Sequence, residues 1–208
     1  MDKSELTVYT NKQTYRYVFK VKERYQIENE KLEKYIKKKN PKRIIFTNKV
    51  NKKAKIKLSS SGQKSVVGWM KKDALYISAN NGGRVYCYDA DSLFSNLQDV
   101  EFIDVSYLDI SKCTTATYMF AFSPKLKQIK GLNRLDFSHI KNMCALFTGC
   151  KSLEELDVTW WNTERVTDMG AVFMNCYNLE TIRGLETWNT SNVRYMTSMF
   201  SYGVSYSH

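Results

Sequence analysis

Histidine is nearly missing from this chain, with His139 and His208 the only two among 208 residues, so a zinc site built on imidazole would be hard to assemble. The five cysteines (Cys87, Cys113, Cys144, Cys150 and Cys176) are odd in number and contain no C-x-x-C pair, which argues against a disulfide framework or a zinc knuckle. They are expected to pack as small buried hydrophobes. No run of 18 apolar residues exists, which excludes an apolar membrane-spanning helix. The start, MDKSELTVYTNKQTYRYVFK, lacks the apolar stretch of a secretory signal, and no wall-anchoring tail follows His208. The expected location is therefore cytoplasmic for the chain as written, and surface or secreted if an export signal has been removed. Catalytic signatures are missing too: there is no G-x-S-x-G, no phosphate-binding P-loop and no H-E-x-x-H, and the Gly-rich NNGGRVY (residues 80 to 86) lacks the strand-to-helix context of a phosphate loop. No cofactor, no metal and no enzymatic activity are expected.

What is present is a globular composition with 43% hydrophobic residues, enough for a packed core, and an uneven charge. Residues 1 to 72 carry 21 Lys and Arg against 6 Asp and Glu, a net of +15, which leaves residues 73 to 208 at −4 of the chain's +11. Such asymmetry points to an anionic partner for the front third. The candidate surface is Lys37, Lys38, Lys39, Lys42 and Arg43 with Lys49, Lys52, Lys53, Lys55 and Lys57, where each phosphate neutralised would release counterions. Lys outnumbers Arg, which favours nonspecific contact over base readout. The other reading of the same residues is a solvated lysine-rich face.

The front third has folding patterns of its own. TYRYVFKV alternates as a half-buried strand does, and with ELTVYT before it a hairpin is expected. IENEKLEKYIKKKNP reads as a helix with a short apolar stripe of Leu32, Tyr35 and Ile36, favourable Glu-to-Lys pairs four apart, and Asn40-Pro41 to end it. RIIFT reads as a further strand, and NKVNKKAKIKLSSSGQKS as a linker.

Beyond the linker the chain repeats itself. Phe94, Phe120, Phe147, Phe173 and Phe200 recur at intervals of 26, 27, 26 and 27. Other apolar columns travel with them: Ala116, Met143, Met169 and Met196 four residues before; Val100, Leu126, Leu153 and Leu179 six after; Ile103, Ile129, Leu156 and Ile182 nine after. A fixed apolar column means units that bury themselves only by stacking on their neighbours. The Met-to-Phe spacing of four puts both on one face of a helical turn, and the following L-x-x-I or L-x-x-L reads as a short strand. Asp104, Asp109, Asp136 and Asp157 recur with the units, so turn or capping duty explains them better than acid and base roles.

The segments WNTERVTDMGAVFMNCYNLETI and TWNTSNVRYMTSMF are similar to the repeat of the BspA-like leucine-rich-repeat family of bacterial surface proteins. The units LDISKCTTATYMFAFSPKLKQI and LDFSHIKNMCALFTGCKSLEEL lose its Trp and Thr but keep the Asp109, Asp136, Asn162, Asn189 column. The resemblance covers residues 65 to 208 and does not extend to the first 64. The patterns of the front third predict an α+β domain over residues 1 to 62; the resemblance implies a β-rich lead-in over 63 to 90, and over 91 to 208 an α/β leucine-rich-repeat solenoid of four to five units, each a helix turn plus a short strand.

The expected function is noncatalytic protein binding: an interaction or inhibitor protein whose basic N-terminal domain approaches an acidic or nucleic-acid-bound partner. The alternative implied by the resemblance is a surface or secreted adhesin. Trp160 and Trp188 are candidate contact residues, although a tryptophan group in such a repeat also serves as core. The apolar surface at the open end of the last unit raises a dimer contact as a further expectation.

Overall fold

The computed structural model describes residues 3 to 9, 14 to 20, 25 to 54, 56 to 59 and 66 to 202. It contains a hairpin of β1 (Lys3–Tyr9) and β2 (Thr14–Lys20), antiparallel with Lys3 opposite Lys20, and then one α-helix, α1 (Asn29–Lys39). Leu32 and Ile36 bury the helix on the core, as their spacing of four requires. Lys37, Lys38 and Lys39 occupy its last turn, where cations suit the macrodipole, and Asn40 ends it at φ 44°, its N–H donating to the Ile36 carbonyl.

Strands β3 (Arg43–Phe46), β4 (Ile56–Lys57), β5 (Val66–Lys71) and β6 (Ala74–Ala79) follow. Next come β7 (Val85–Tyr86), β8 (Phe102–Asp104), β9 (Leu108–Asp109) and β10 (Gln128–Lys130). Six of them make one mixed sheet in the order β10-β8-β3-β6-β5-β4. Its parallel half joins β3 to β6 on one side and to β8 on the other, with β10 beyond β8. The sheet thus draws strands from the basic front, the lead-in and the repeats. Ile44, Phe46, Leu75, Ile77 and Ile103 form its fully covered core, and Phe46 packs edge-on against Phe94 of the first repeat, centroids 5.9 Å apart. The remaining strands of the lead-in and repeats pair outside that sheet, β7 with β9 and β11 (Glu155–Asp157) with β12 (Thr181–Arg183), both parallel, and Tyr86 of β7 also bridges to Gln26.

The leucine-rich-repeat solenoid expected from the sequence is not what forms. The units contain no α-helical turn between their Met and Phe columns, and α1 is the one α-helix among the described residues. The cause lies in the backbone on either side of each Phe. Two residues before it, Ser92, Tyr118, Ala145, Ala171 and Ser198 all have φ between 54° and 58°. Two residues after it, Asn96, Phe122, Asn175 and Tyr202 lie between 56° and 60°, with Gly149 at 75°. A right-handed helix cannot run through a left-handed residue every four positions, so the spacing that reads as a helical face is the spacing of two consecutive tight turns.

These turns divide their hydrogen bonds between two directions. Alternate N–H groups donate to the following unit: Tyr118, Phe120 and Phe122 to the carbonyls of Cys144, Leu146 and Thr148, then Ala145, Phe147 and Gly149 to Gly170, Val172 and Met174. The amides between them close turns within their own unit, as from Ala121 to Tyr118 and from Thr148 to Ala145. Isolated parallel bridges continue the register through Thr115, Asn142, Asp168 and Tyr195. The units therefore stack in small sheets and turn ladders, and the Phe rings stack with them, at 5.5, 5.4, 5.8 and 5.3 Å from Phe94 through to Phe200.

A second period of two units overlies the first. After β10 and again after β12 comes a left-handed glycine, Gly131 at φ 77° and Gly184 at φ 89°, each opening a single 3-10 turn. In the alternate units Val105 and Val158 stand at that position, and the Asp104 and Asp157 just before them accept the backbone N–H of Ser106 and Thr159. Each glycine lies directly on the following turn of its neighbour, and a Cβ on Gly184 would sit 2.2 Å from the Thr159 Cα.

The cysteines are free, and all but Cys144 are buried. Burial pushes the thiols of Cys150 and Cys176 up, Cys176 to about 12 from 9.0. In the unfolded chain these thiols ionise first. Their contribution to stability is thus complete below about pH 9 and is lost as pH rises toward 12. At pH 8 iodoacetamide is expected to modify no thiol but Cys144 in the native protein, and all five cysteines once the chain is unfolded; rapid native modification of Cys150 or Cys176 would contradict the core packing.

Candidate functional site

The basic residues singled out in the sequence fall into separate places. Lys37, Lys38 and Lys39 end α1 and so lie beside the start of β3, while Lys49, Lys52 and Lys53 lie on the loop that leaves its other end. Four strand residues put roughly 10 Å or more between the two groups. Lys57 is on β4, at the edge of the sheet and three strands from β3. Lys55 lies outside the described residues.

Several of these cations are already paired. Lys37 is bonded to Glu33 one helical turn earlier, Arg43 to Asp73 at 3.1 Å, and Lys42 lies 4.0 Å from Glu101. The acids that pair Arg43 and Lys42 come from the chain beyond residue 72, and the repeats continue the network: Lys125 meets Asp99 at 2.6 Å, Lys127 meets Glu101 at 3.8 Å, and Lys130 meets Asp104 at 3.3 Å. The hydrogen bond from Lys125, then the one from Asn40, holds the Asp99 carboxyl below the ordinary carboxylate range. What reads as one basic face is a band of mixed charge at Lys42 and Arg43, flanked by Lys38, Lys39, Lys49, Lys52, Lys53 and Lys57, which are exposed and make no ion pair among the described residues.

The two tryptophans part company. Trp160 is 77% exposed and Trp188 is 9% exposed, stacked between Trp161 at 5.9 Å and Phe173 at 6.1 Å. Trp161 donates its indole N–H to the Leu132 carbonyl at 2.9 Å. The indole N–H of Trp188 is buried with no partner among the described residues.

Sequence reasoning missed a different surface. In the two left-handed columns most units place Ser, Ala, Asn or Gly, the small or turn-forming residues such backbone favours. The second unit instead places Tyr118 and Phe122, 40% and 43% exposed and stacked on each other at 5.9 Å. The Phe122 ring lies over Gly149, where a Cβ would come within 3.2 Å of it. Bulky side chains at φ 56° each cost about 1 kcal/mol or more, and exposure recovers none of it. Aligning the units exposes the anomaly only once both columns are known to be left-handed, which the sequence does not announce.

Among the described residues no group of three or more His, Cys, Asp or Glu is placed to hold a metal ion. The recurring carboxylates Asp104, Asp109, Asp136 and Asp157 each accept the N–H two residues on, at 2.9 to 3.2 Å, which closes the turns between units. No helix among the described residues is long and apolar enough to cross a membrane.

The architecture defines a class: a turn-rich protein of stacked 26- to 27-residue units, paired two by two and joined to a mixed sheet, whose distinguishing surface is an aromatic pair on strained backbone. The sequence pattern of one family matches residues 88–208, more than half of the chain, and the chain belongs to that family, described as Mycoplasma protein of unknown function, DUF285. This corrects the resemblance to BspA-like leucine-rich repeats: the family that matches is a different one, no leucine-rich-repeat family matches, and the adhesin reading that rested on the resemblance loses its basis. No curated protein and no solved structure matches the chain.

Proposed function

We propose that the chain is a noncatalytic protein-binding module that engages its partner through Tyr118 and Phe122. The observation that carries this reading is the retention of two large, exposed rings on left-handed backbone, where the next unit manages with Ala145 and Gly149. Strain held at a site that still leaves about 40% of each ring exposed points to selection for contact, and large aromatic side chains are frequent anchors of protein interfaces. The unpaired lysines of the front third support an acidic surface on that partner, or on a nucleic acid it carries, and act mainly on the rate of encounter.

The double substitution Tyr118→Ala with Phe122→Gly copies the neighbouring unit. It is expected to leave thermal stability unchanged or slightly raised, because it relieves left-handed strain, while partner capture from native host extract falls at least about tenfold. Raising salt from about 50 to 200 mM should slow association of the parent chain. Equal capture by parent and variant would show that the ring pair is not the binding surface.

A further inference from the structure

Around each Phe the hydrogen bonds between units run one way. In this turn ladder every outgoing amide points toward the next unit, and every receiving carbonyl points back; the fifteen such bonds, from Ser92 to Asn175, measure 2.7 to 3.1 Å. Elsewhere amides donate back, as from Lys141 to Thr114, Thr167 to Lys141 and Arg194 to Thr167. An ordinary strand edge mixes donors and acceptors, whereas the turn ladder offers donors alone. The last described unit, around Phe200, receives bonds at the carbonyls of Tyr195, Thr197, Met199 and Ser201, and its own outgoing amides, Met196, Ser198, Phe200 and Tyr202, meet no acceptor among the described residues. The apolar columns are uncovered at the same place: Met196 is 43% exposed where Met143 and Met169 are fully buried, and Phe200 is half-buried where the four earlier rings are fully covered. The indole N–H of Trp188, buried with no partner among the described residues, lies in this last pair of units.

We infer that this face is a docking site for a polypeptide segment built like the repeat itself, presenting alternate backbone carbonyls to the four amides and a Met-x-x-x-Phe pair to the apolar columns. The four junctions between existing units show that such a surface accepts that chemistry. A second copy of the chain fits it poorly. Two of these faces brought together would set the four ladder amides against each other, and the acceptor end of the ladder is covered, with Phe46 against Phe94 and α1 over the first unit, where Ile36 and Leu93 line a shared cavity. The proposal is independent of the Tyr118 and Phe122 surface, which lies on a flank of the stack.

The probe is a synthetic peptide of the chain's own residues 166 to 182, whose carbonyls at Asp168, Gly170, Val172 and Met174 serve this role between units. Amide exchange is measured residue by residue in the whole protein, with and without millimolar peptide. Exchange at Met196, Ser198, Phe200 and Tyr202 should be fast alone and slow by about tenfold or more with peptide. A peptide with Asp in place of Met169 and Phe173 should have no effect. In the protein variant Phe200→Asp the response should vanish while Tyr118 and Phe147 stay protected, which shows that the stack remains folded. Unchanged exchange with the parent peptide would overturn the proposal. So would protection already present in the peptide-free monomer, or protection that appears only as sedimentation shows a dimer forming.

Discussion

Replacing Gly184 with alanine should cost about 4 kcal/mol or more, at the severe end of what single substitutions do. The added Cβ would lie 2.2 Å from the Thr159 Cα and 2.4 Å from its backbone nitrogen, and Gly184 has φ 89°. No side-chain rotation relieves a clash with backbone. Either β12 must leave β11, or the turn that follows Asp157 must move and break the bonds from Thr159 to the Asp157 carboxylate. Gly131→Ala should follow with a smaller loss, since its nearest obstacle is the Ser106 hydroxyl oxygen at 2.5 Å with backbone behind it at 2.8 Å. Gly83→Ala serves as the control, because that Cβ would meet only the Asn81 side chain, at 3.0 Å. Urea unfolding of the three variants checks the order; a Gly184→Ala protein within about 1 kcal/mol of the parent would show that adjacent units do not touch through backbone there.

Phe147→Ala should lose about 3 to 5 kcal/mol, the usual cost of emptying a large buried aromatic site. The ring is fully buried, stacked on Phe120 at 5.4 Å, on Phe173 at 5.8 Å and close to Trp161 at 6.4 Å. The cavity cannot collapse easily, because the ladder of bonds above and below holds its neighbours at fixed spacing. Phe200→Ala, at the half-buried end of the same column, should cost clearly less. Equal denaturation midpoints for the two variants would show that the column is not graded from interior to end as the structure has it.

Sequence alone determined that this chain repeats, and with what period. The Phe, Met and Leu columns were legible because burial demands the same apolar residue wherever one unit lies on the next, and such a demand leaves its mark in composition at each position. The helix over Asn29–Lys39 was legible for a similar reason: Leu32 and Ile36 lie one turn apart, with acid before and lysines after. The turn duty of Asp104, Asp109, Asp136 and Asp157 could be read from their recurrence. Even the two-unit period was available, in the likeness of IKGLNRLDFS to IRGLETWNTS around Gly131 and Gly184.

Tertiary structure alone decided the conformation of the unit and the fate of the charges. A spacing of four residues is shared by a helical face and by two successive turns, and only the left-handed backbone at Tyr118 and Phe122, Ala145 and Gly149 distinguishes them. Alanine, serine and tyrosine do not advertise positive φ as glycine does, so the helical reading had nothing local to oppose it. The stack imposes that backbone through bonds to the next unit, 26 or 27 residues away. Likewise Lys42 and Arg43 read as part of a free basic face until the sheet brings Glu101 and Asp73 beside them. Charge neutralised by a residue tens of positions away is invisible to composition, because it depends on which strands pair, and pairing is settled by the whole core at once.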